Sequence, residues 1–138
     1  VRGGPCRVYI ADMKLRVDAA DAFFYPDVFV TCDPRDASEA LAKRRPSLIC
    51  EVLSESTEAY DRGGKFAAYR TLESLSEYLL IDSRRRSVEV FLRKPDGWLL
   101  APVAPDGQLE LLSLGFRCAV DALYEDVVFP TPANPSAT

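Results

Sequence analysis

Val8 and Ile10 alternate with polar or small residues, and after Ala11 and Asp12 the alternation restarts as Met13, Leu15 and Val17 against Lys14, Arg16 and Asp18. Such period-two patterning predicts two strands here, or one strand with a bulge near Asp12. A polar and small connection, residues 18–22, leads into an aromatic and β-branched run over residues 23–31 that reads as one further strand. Asp33-Pro34-Arg35-Asp36 ends it as a turn, and residues 36–46 read as a charged surface excursion with at most a helical turn around Glu39, Ala40 and Leu41. Residues 47–53 are apolar on both alternating faces except at Glu51, the pattern of an interior strand covered on both sides.

Ser56 or Thr57 then caps a helix running to about Leu72, with Phe66, Tyr69 and Leu72 along one stripe. Gly63 and Gly64 weaken its first turns by about 1 kcal/mol each relative to Ala. Residues 77–82, 87–92 and 98–100 form three strands joined by the Ser83-Arg84-Arg85-Arg86 and Lys94-Pro95-Asp96-Gly97 turns, an antiparallel meander. A short helix over residues 119–124 closes the chain, and residues 130–138 form a Pro-, Ser- and Ala-rich tail. The expected fold is α/β in the α+β sense: a mixed sheet with one principal helix and an antiparallel meander, in a single domain over residues 1–129.

The composition of the 138 residues, 48% hydrophobic and 28% charged, is that of one globular domain with a sizeable core. No apolar stretch approaches the ~20 residues of a membrane span, and Val1-Arg2-Gly3-Gly4-Pro5 has no apolar run behind its charge, so no membrane and a cytoplasmic location are expected. A net charge of -4 gives no global attraction to nucleic acid. The absence of histidine removes His-based zinc sites, Ser-His-Asp triads and His general bases together. Cys6, Cys32, Cys50 and Cys118 have no CxxC spacing and read as buried thiols of a reducing compartment.

Asp27 and Glu51 stand out, each the single charge in an apolar strand. An ionised carboxylate there is costly unless a cation or hydrogen-bond donors meet it. Two on neighbouring strands make a pocket for magnesium or manganese, which prefer oxygen ligands; the alternative is that they lie at strand ends in solvent or pair with arginines. Asp61, Lys65 and Tyr69 share one helix face at i, i+4 and i+8, a pattern that also fits an exposed ion pair beside a packed aromatic. Lys43-Arg44-Arg45 and Arg84-Arg85-Arg86 read as solvated charge runs. Gly63-Gly64-Lys65 fails the phosphate-loop pattern at Ala59 and Phe66, and no oxyanion-hole motif supports a Ser54 or Ser56 dyad with Lys65.

Pro26-Asp27, Glu51-Val52-Leu53, Ser54-Glu55-Ser56-Thr57, Asp61-Arg62-Gly63-Gly64-Lys65-Phe66-Ala67-Ala68-Tyr69 and Glu77-Tyr78-Leu79-Leu80-Ile81-Asp82, in that order, resemble the Uma-two family. These are restriction-endonuclease-like proteins of the PD-(D/E)XK nuclease superfamily, and the resemblance runs from about Val8 to Val128. It implies that Asp27 is the Asp of the PD motif and Glu51 the acidic residue of the second motif. Leu53 stands where the superfamily's lysine usually lies, and Lys65 resembles a lysine displaced onto the helix. Asp27, Glu51 and the Val52 backbone carbonyl are thereby implied as ligands of Mg2+ or Mn2+, Lys65 as a catalytic residue, and Tyr69 as a support for Lys65 or a substrate contact. The implied activity is metal-dependent endonucleolytic cleavage of DNA, with pairing of two copies serving a double-strand cut. Family members begin with a further helical segment carrying another acidic residue, and the sequence starts at Val1 after that segment would have ended: either the start is truncated or this member lacks the segment. The second reading is therefore a catalytically inactive binding or assembly module that keeps the nuclease fold.

Overall fold

The structure, a computed structural model, describes residues 4–129. Its elements in chain order are β1 (Arg7–Ile10), β2 (Leu15–Val17), β3 (Ala22–Phe24), β4 (Val28–Thr31), α1 (Pro34–Ala37), β5 (Pro46–Leu53), α2 (Glu58–Arg62), α3 (Gly64–Tyr69), β6 (Glu77–Asp82), β7 (Val88–Lys94), β8 (Gly97–Val103), β9 (Gln108–Leu111), β10 (Phe116–Ala119) and α4 (Val120–Leu123). Six strands form one mixed sheet in the order β1-β4-β5-β6-β7-β8. Only the β5–β6 pair is parallel, and α2 and α3 supply the crossover that a parallel pair requires. The strands β6, β7 and β8 form the expected antiparallel meander.

Because successive side chains of a strand alternate between faces, β5 feeds two cores. Ile49 and Leu53 join Phe66, Tyr69, Leu75, Tyr78 and Leu80 beneath the helices. Leu48 and Cys50 join Leu79, Val88, Val90, Leu109, Val120 and Tyr124 on the other side. Glu51 has the parity of Ile49 and Leu53, so its carboxylate enters the helix-side core. The small β2–β3 sheet closes that core at one margin with Leu15 and Val17, and the β9–β10 hairpin with α4 covers the opposite face.

Several local expectations are corrected. Residues 23–31 form the ends of two strands in different sheets, β3 and β4; Pro26 has no N–H to give a ladder, and the Asp27 N–H goes to a side chain instead. The principal helix is two short helices, because Gly63 leaves helical geometry at φ -102° and ψ -97°. A Cβ there would meet the Ala59 carbonyl oxygen at 3.0 Å. The segment expected as a surface excursion is anchored by the buried Asp36, which accepts from Thr31 Oγ1 at 2.7 Å, the Arg44 amide at 3.0 Å and the Arg45 amide at 2.8 Å. No helical turn forms at residues 39–41; the short helix is α1, at the position read as a turn, capped by the Asp33 carboxylate on the Arg35 amide at 2.8 Å.

Cys6 and Cys32, expected as thiols, are joined in a disulfide: β1 pairs Arg7 with Thr31, which sets the flanking cysteines opposite each other. Cys50 and Cys118 are free. The tail expected at residues 130–138 lies outside the described residues. Among the described residues no helix is long and apolar enough to cross a membrane.

Candidate active site

The β4–β5 register fixes the first half of the site. Val28 pairs with Cys50, so Asp27 and Glu51 are the next opposed positions. They lock reciprocally: the Asp27 amide donates to Glu51 Oε1 at 2.9 Å, and the Val52 amide donates to Asp27 Oδ2 at 2.7 Å. Asp27 is half-buried, whereas Glu51 is only 1% exposed.

The helix pair supplies the second half. Lys65 Nζ lies 2.9 Å from Glu51 Oε2, and the Tyr69 hydroxyl donates to the same oxygen at 2.9 Å. Lys65 Nζ is also 3.0 Å from Asp61 Oδ1. Both Lys65 contacts are ion pairs, and Asp61 Oδ1, buried, receives no aligned hydrogen bond. Tyr78 holds the turn from below, its hydroxyl donating to the Asp61 carbonyl at 2.8 Å. The Lys65 ammonium therefore lies between two buried carboxylates.

Burial pushes the Glu51 carboxyl above the usual carboxylate range, against the opposing pull of the Asp27 amide and then of Lys65. Burial works against the Lys65 ammonium too, but Glu51 first and Asp61 second outweigh it and raise its pKa. Tyr69 is raised by burial and then by the Glu51 charge, so its hydroxyl stays protonated and acts as a donor. The Cys50 thiol is pushed up to about 12, chiefly by burial, which leaves it an inert core group.

The structure brings Asp27, Glu51, Lys65 and Tyr69 together. Tyr69 is fully buried with its hydroxyl on Glu51, which corrects its reading as a substrate contact: no part of the ring faces solvent. Sequence reasoning saw Asp61 but took it for half of an exposed pair; the signal that it is buried was its place on the same face as Tyr69. Ser54 Oγ shares hydrogen bonds with Ser56 Oγ and Thr57 Oγ1, away from any dyad geometry with Lys65. Arg84 is engaged by Asp82 and Glu58, Arg86 by Asp121, and Lys43 is buried on the carbonyls of Asp36 and Glu39.

The donor set suits a hard divalent cation. Asp27 and Glu51 offer carboxylate oxygens, and among the described residues no group of three or more His, Cys, Asp or Glu side chains is placed to hold a metal ion. Few protein ligands with water in the remaining positions is the habit of magnesium.

The chain superposes on the crystal structure of "a putative nuclease belonging to DUF820" from Anabaena variabilis with a TM-score of 0.73, over 92% of this chain and 72% of that one, at 15% identity. The likeness is one of fold. The family described as Uma2, "Putative restriction endonuclease", matches residues 1–122, and the chain belongs to that family. Two Synechocystis proteins are similar: uncharacterized protein slr1290, 41% identical over 92% of this chain and 67% of its own length, and uncharacterized protein sll1609, 41% identical over 67% of this chain and 54% of its own. The chain thus spans between about half and two thirds of these relatives. The family's description supports a nuclease-like function.

Proposed function

We propose that this protein is a divalent-metal-dependent endonuclease acting on the phosphodiester bonds of DNA. The observation that carries this reading is Lys65 Nζ 2.9 Å from Glu51 Oε2, with the Asp27 amide on the Glu51 carboxylate and the Val52 amide on the Asp27 carboxylate. Asp27 and Glu51 hold the cation, joined by the Val52 carbonyl, which leaves its strand on the same side as the Val52 amide and hence toward Asp27. Bound Mg2+ or Mn2+ supplies Lewis-acid polarisation of the phosphate and an activated water. Tyr69 orients Glu51 through its hydroxyl, and Lys65 presents a positive charge to the negative charge that develops on the phosphoryl oxygens.

A second reading is favoured by the pairing of Arg84 and Arg86 with acids, which leaves that turn with little charge for a duplex: a nuclease-fold module that binds or assembles without cutting. Plasmid nicking in Mg2+ or Mn2+ separates the two. The parent should nick, Asp27→Asn and Glu51→Gln should not, and Lys65→Ala should nick about 100-fold more slowly, the scale of one lost transition-state stabiliser. Nicking by Lys65→Ala at the parental rate would remove Lys65 from the mechanism; an inert parent would favour the binding module.

A further inference from the structure

We propose that Asp61 is a positioning residue that holds Lys65 when Glu51 turns to a divalent cation, an inference that rests on the metal-site reading above. Glu51 Oε2 accepts from the Tyr69 hydroxyl at 2.9 Å and is ion-paired with the Lys65 ammonium at 2.9 Å. A divalent cation at that oxygen repels an ammonium so near, and takes the place only when the ammonium moves off. Tyr69 is pinned: it is fully buried, its ring edge-on to Phe24 at 5.3 Å and to Tyr78 at 5.6 Å. Lys65 is the donor that moves, being on a flexible stem with its side chain 18% exposed.

Its destination is already built. Asp61 is 2% exposed, and its Oδ1 points at Nζ from 3.0 Å without an aligned hydrogen bond. A buried carboxylate oxygen left in that state is unfavourable, and a small swing of Nζ from Glu51 to Asp61 satisfies it. The ammonium stays charged and close to the phosphate while Glu51 Oε2 is freed. Asp61 acts through Lys65, and touches neither cation nor substrate.

The test is Mn2+ affinity, read by electron paramagnetic resonance of the free ion on the full chain, so that no cleavage is needed. Asp61→Asn leaves Lys65 with Glu51 as its sole carboxylate partner, and Mn2+ affinity should fall about 10-fold, the worth of one charge-assisted hydrogen bond. Lys65→Met in the same background should restore affinity to the parental level or above, which a merely structural Asp61 would not do. Should Asp61→Asn fail to fold, Lys65→Met is compared with Asp61→Asn/Lys65→Met. Equal Mn2+ affinities support the proposal, and weaker binding by the double variant overturns it. A parent that binds Mn2+ and an Asp61→Asn variant that binds it equally well would overturn the role of Asp61 and leave the metal site standing. A parent that binds no Mn2+ would overturn the metal-site reading, and the role of Asp61 with it.

Discussion

Two buried carboxylates sit at opposite ends of the β4–β5 pair, Asp36 beside its start in β5 and Glu51 near its end, and they are satisfied in different ways. Asp36 is met by the Thr31 hydroxyl and by the backbone amides of Arg44 and Arg45. Two of those three donors belong to the main chain and cannot leave without unfolding the segment. Glu51 has one such donor, the Asp27 amide, and otherwise depends on side chains, one of them a lysine with a second carboxylate within reach. A carboxylate saturated by main-chain donors is a fastener. One held in part by an exchangeable ammonium is poised to accept something else.

The comparison is broken most severely at Asp36. Asp36→Ala strands three donors in a buried place, at roughly 1–3 kcal/mol each before relaxation, so a loss of about 3 kcal/mol or more is expected. Urea unfolding measures it, and Mn2+ should stabilise the variant by as much as it stabilises the parent. Glu51→Gln comes next. Neutralising Glu51 relieves its repulsion with Asp27, which by itself would leave the protein without metal as stable or more so. The structure reverses that sign, because Lys65 already compensates the charge. Breaking a buried pair costs roughly 3–5 kcal/mol, and since Asp61 remains for Lys65 the expected loss is smaller, about 2 kcal/mol, with stabilisation by Mn2+ abolished. A variant as stable as the parent would show that the Glu51–Lys65 contact contributes nothing at rest.

The smallest effect belongs to Asp33, which sharpens the comparison with a carboxylate on the surface. The Arg35 guanidinium, and then the Arg35 amide, hold its pKa down to about 2. A depressed carboxylate contributes stability above its unfolded pKa and loses it as pH falls through the folded one. Asp33→Ala should therefore lower the melting temperature slightly at neutral pH, and the difference should close between about pH 4 and pH 2. A difference that persists at pH 2 would mean that the cap acts without its charge.

How much of this was legible in the sequence follows from the range of each interaction. Strand β5 was visible because burial on both faces writes an unbroken apolar run, and Asp27 and Glu51 were visible as the charges that interrupt such runs. Lys65 needed the family resemblance, since helical spacing alone fits an exposed pair equally well. Asp36 was missed because its partners are main-chain amides, which leave no mark on side-chain pattern. The β9–β10 hairpin was missed because Leu109 and Leu111 are its sole buried positions on β9, too few for a period to show. The Cys6–Cys32 bond was missed because it depends on the β1–β4 register, set by residues far apart in the chain.

The central position of β5 has a consequence for exchange with solvent. Its amides are laddered to β4 on one side and β6 on the other, so they give up their protons only when the whole sheet opens. Lys65 and Asp61 ride instead on helices of 6 and 5 residues, each shorter than a helix that holds without tertiary support. Deuterium should therefore enter the helix pair in openings far more frequent than those of the strand beneath it, so that the site joins the slowest-breathing backbone of the protein to one of its fastest.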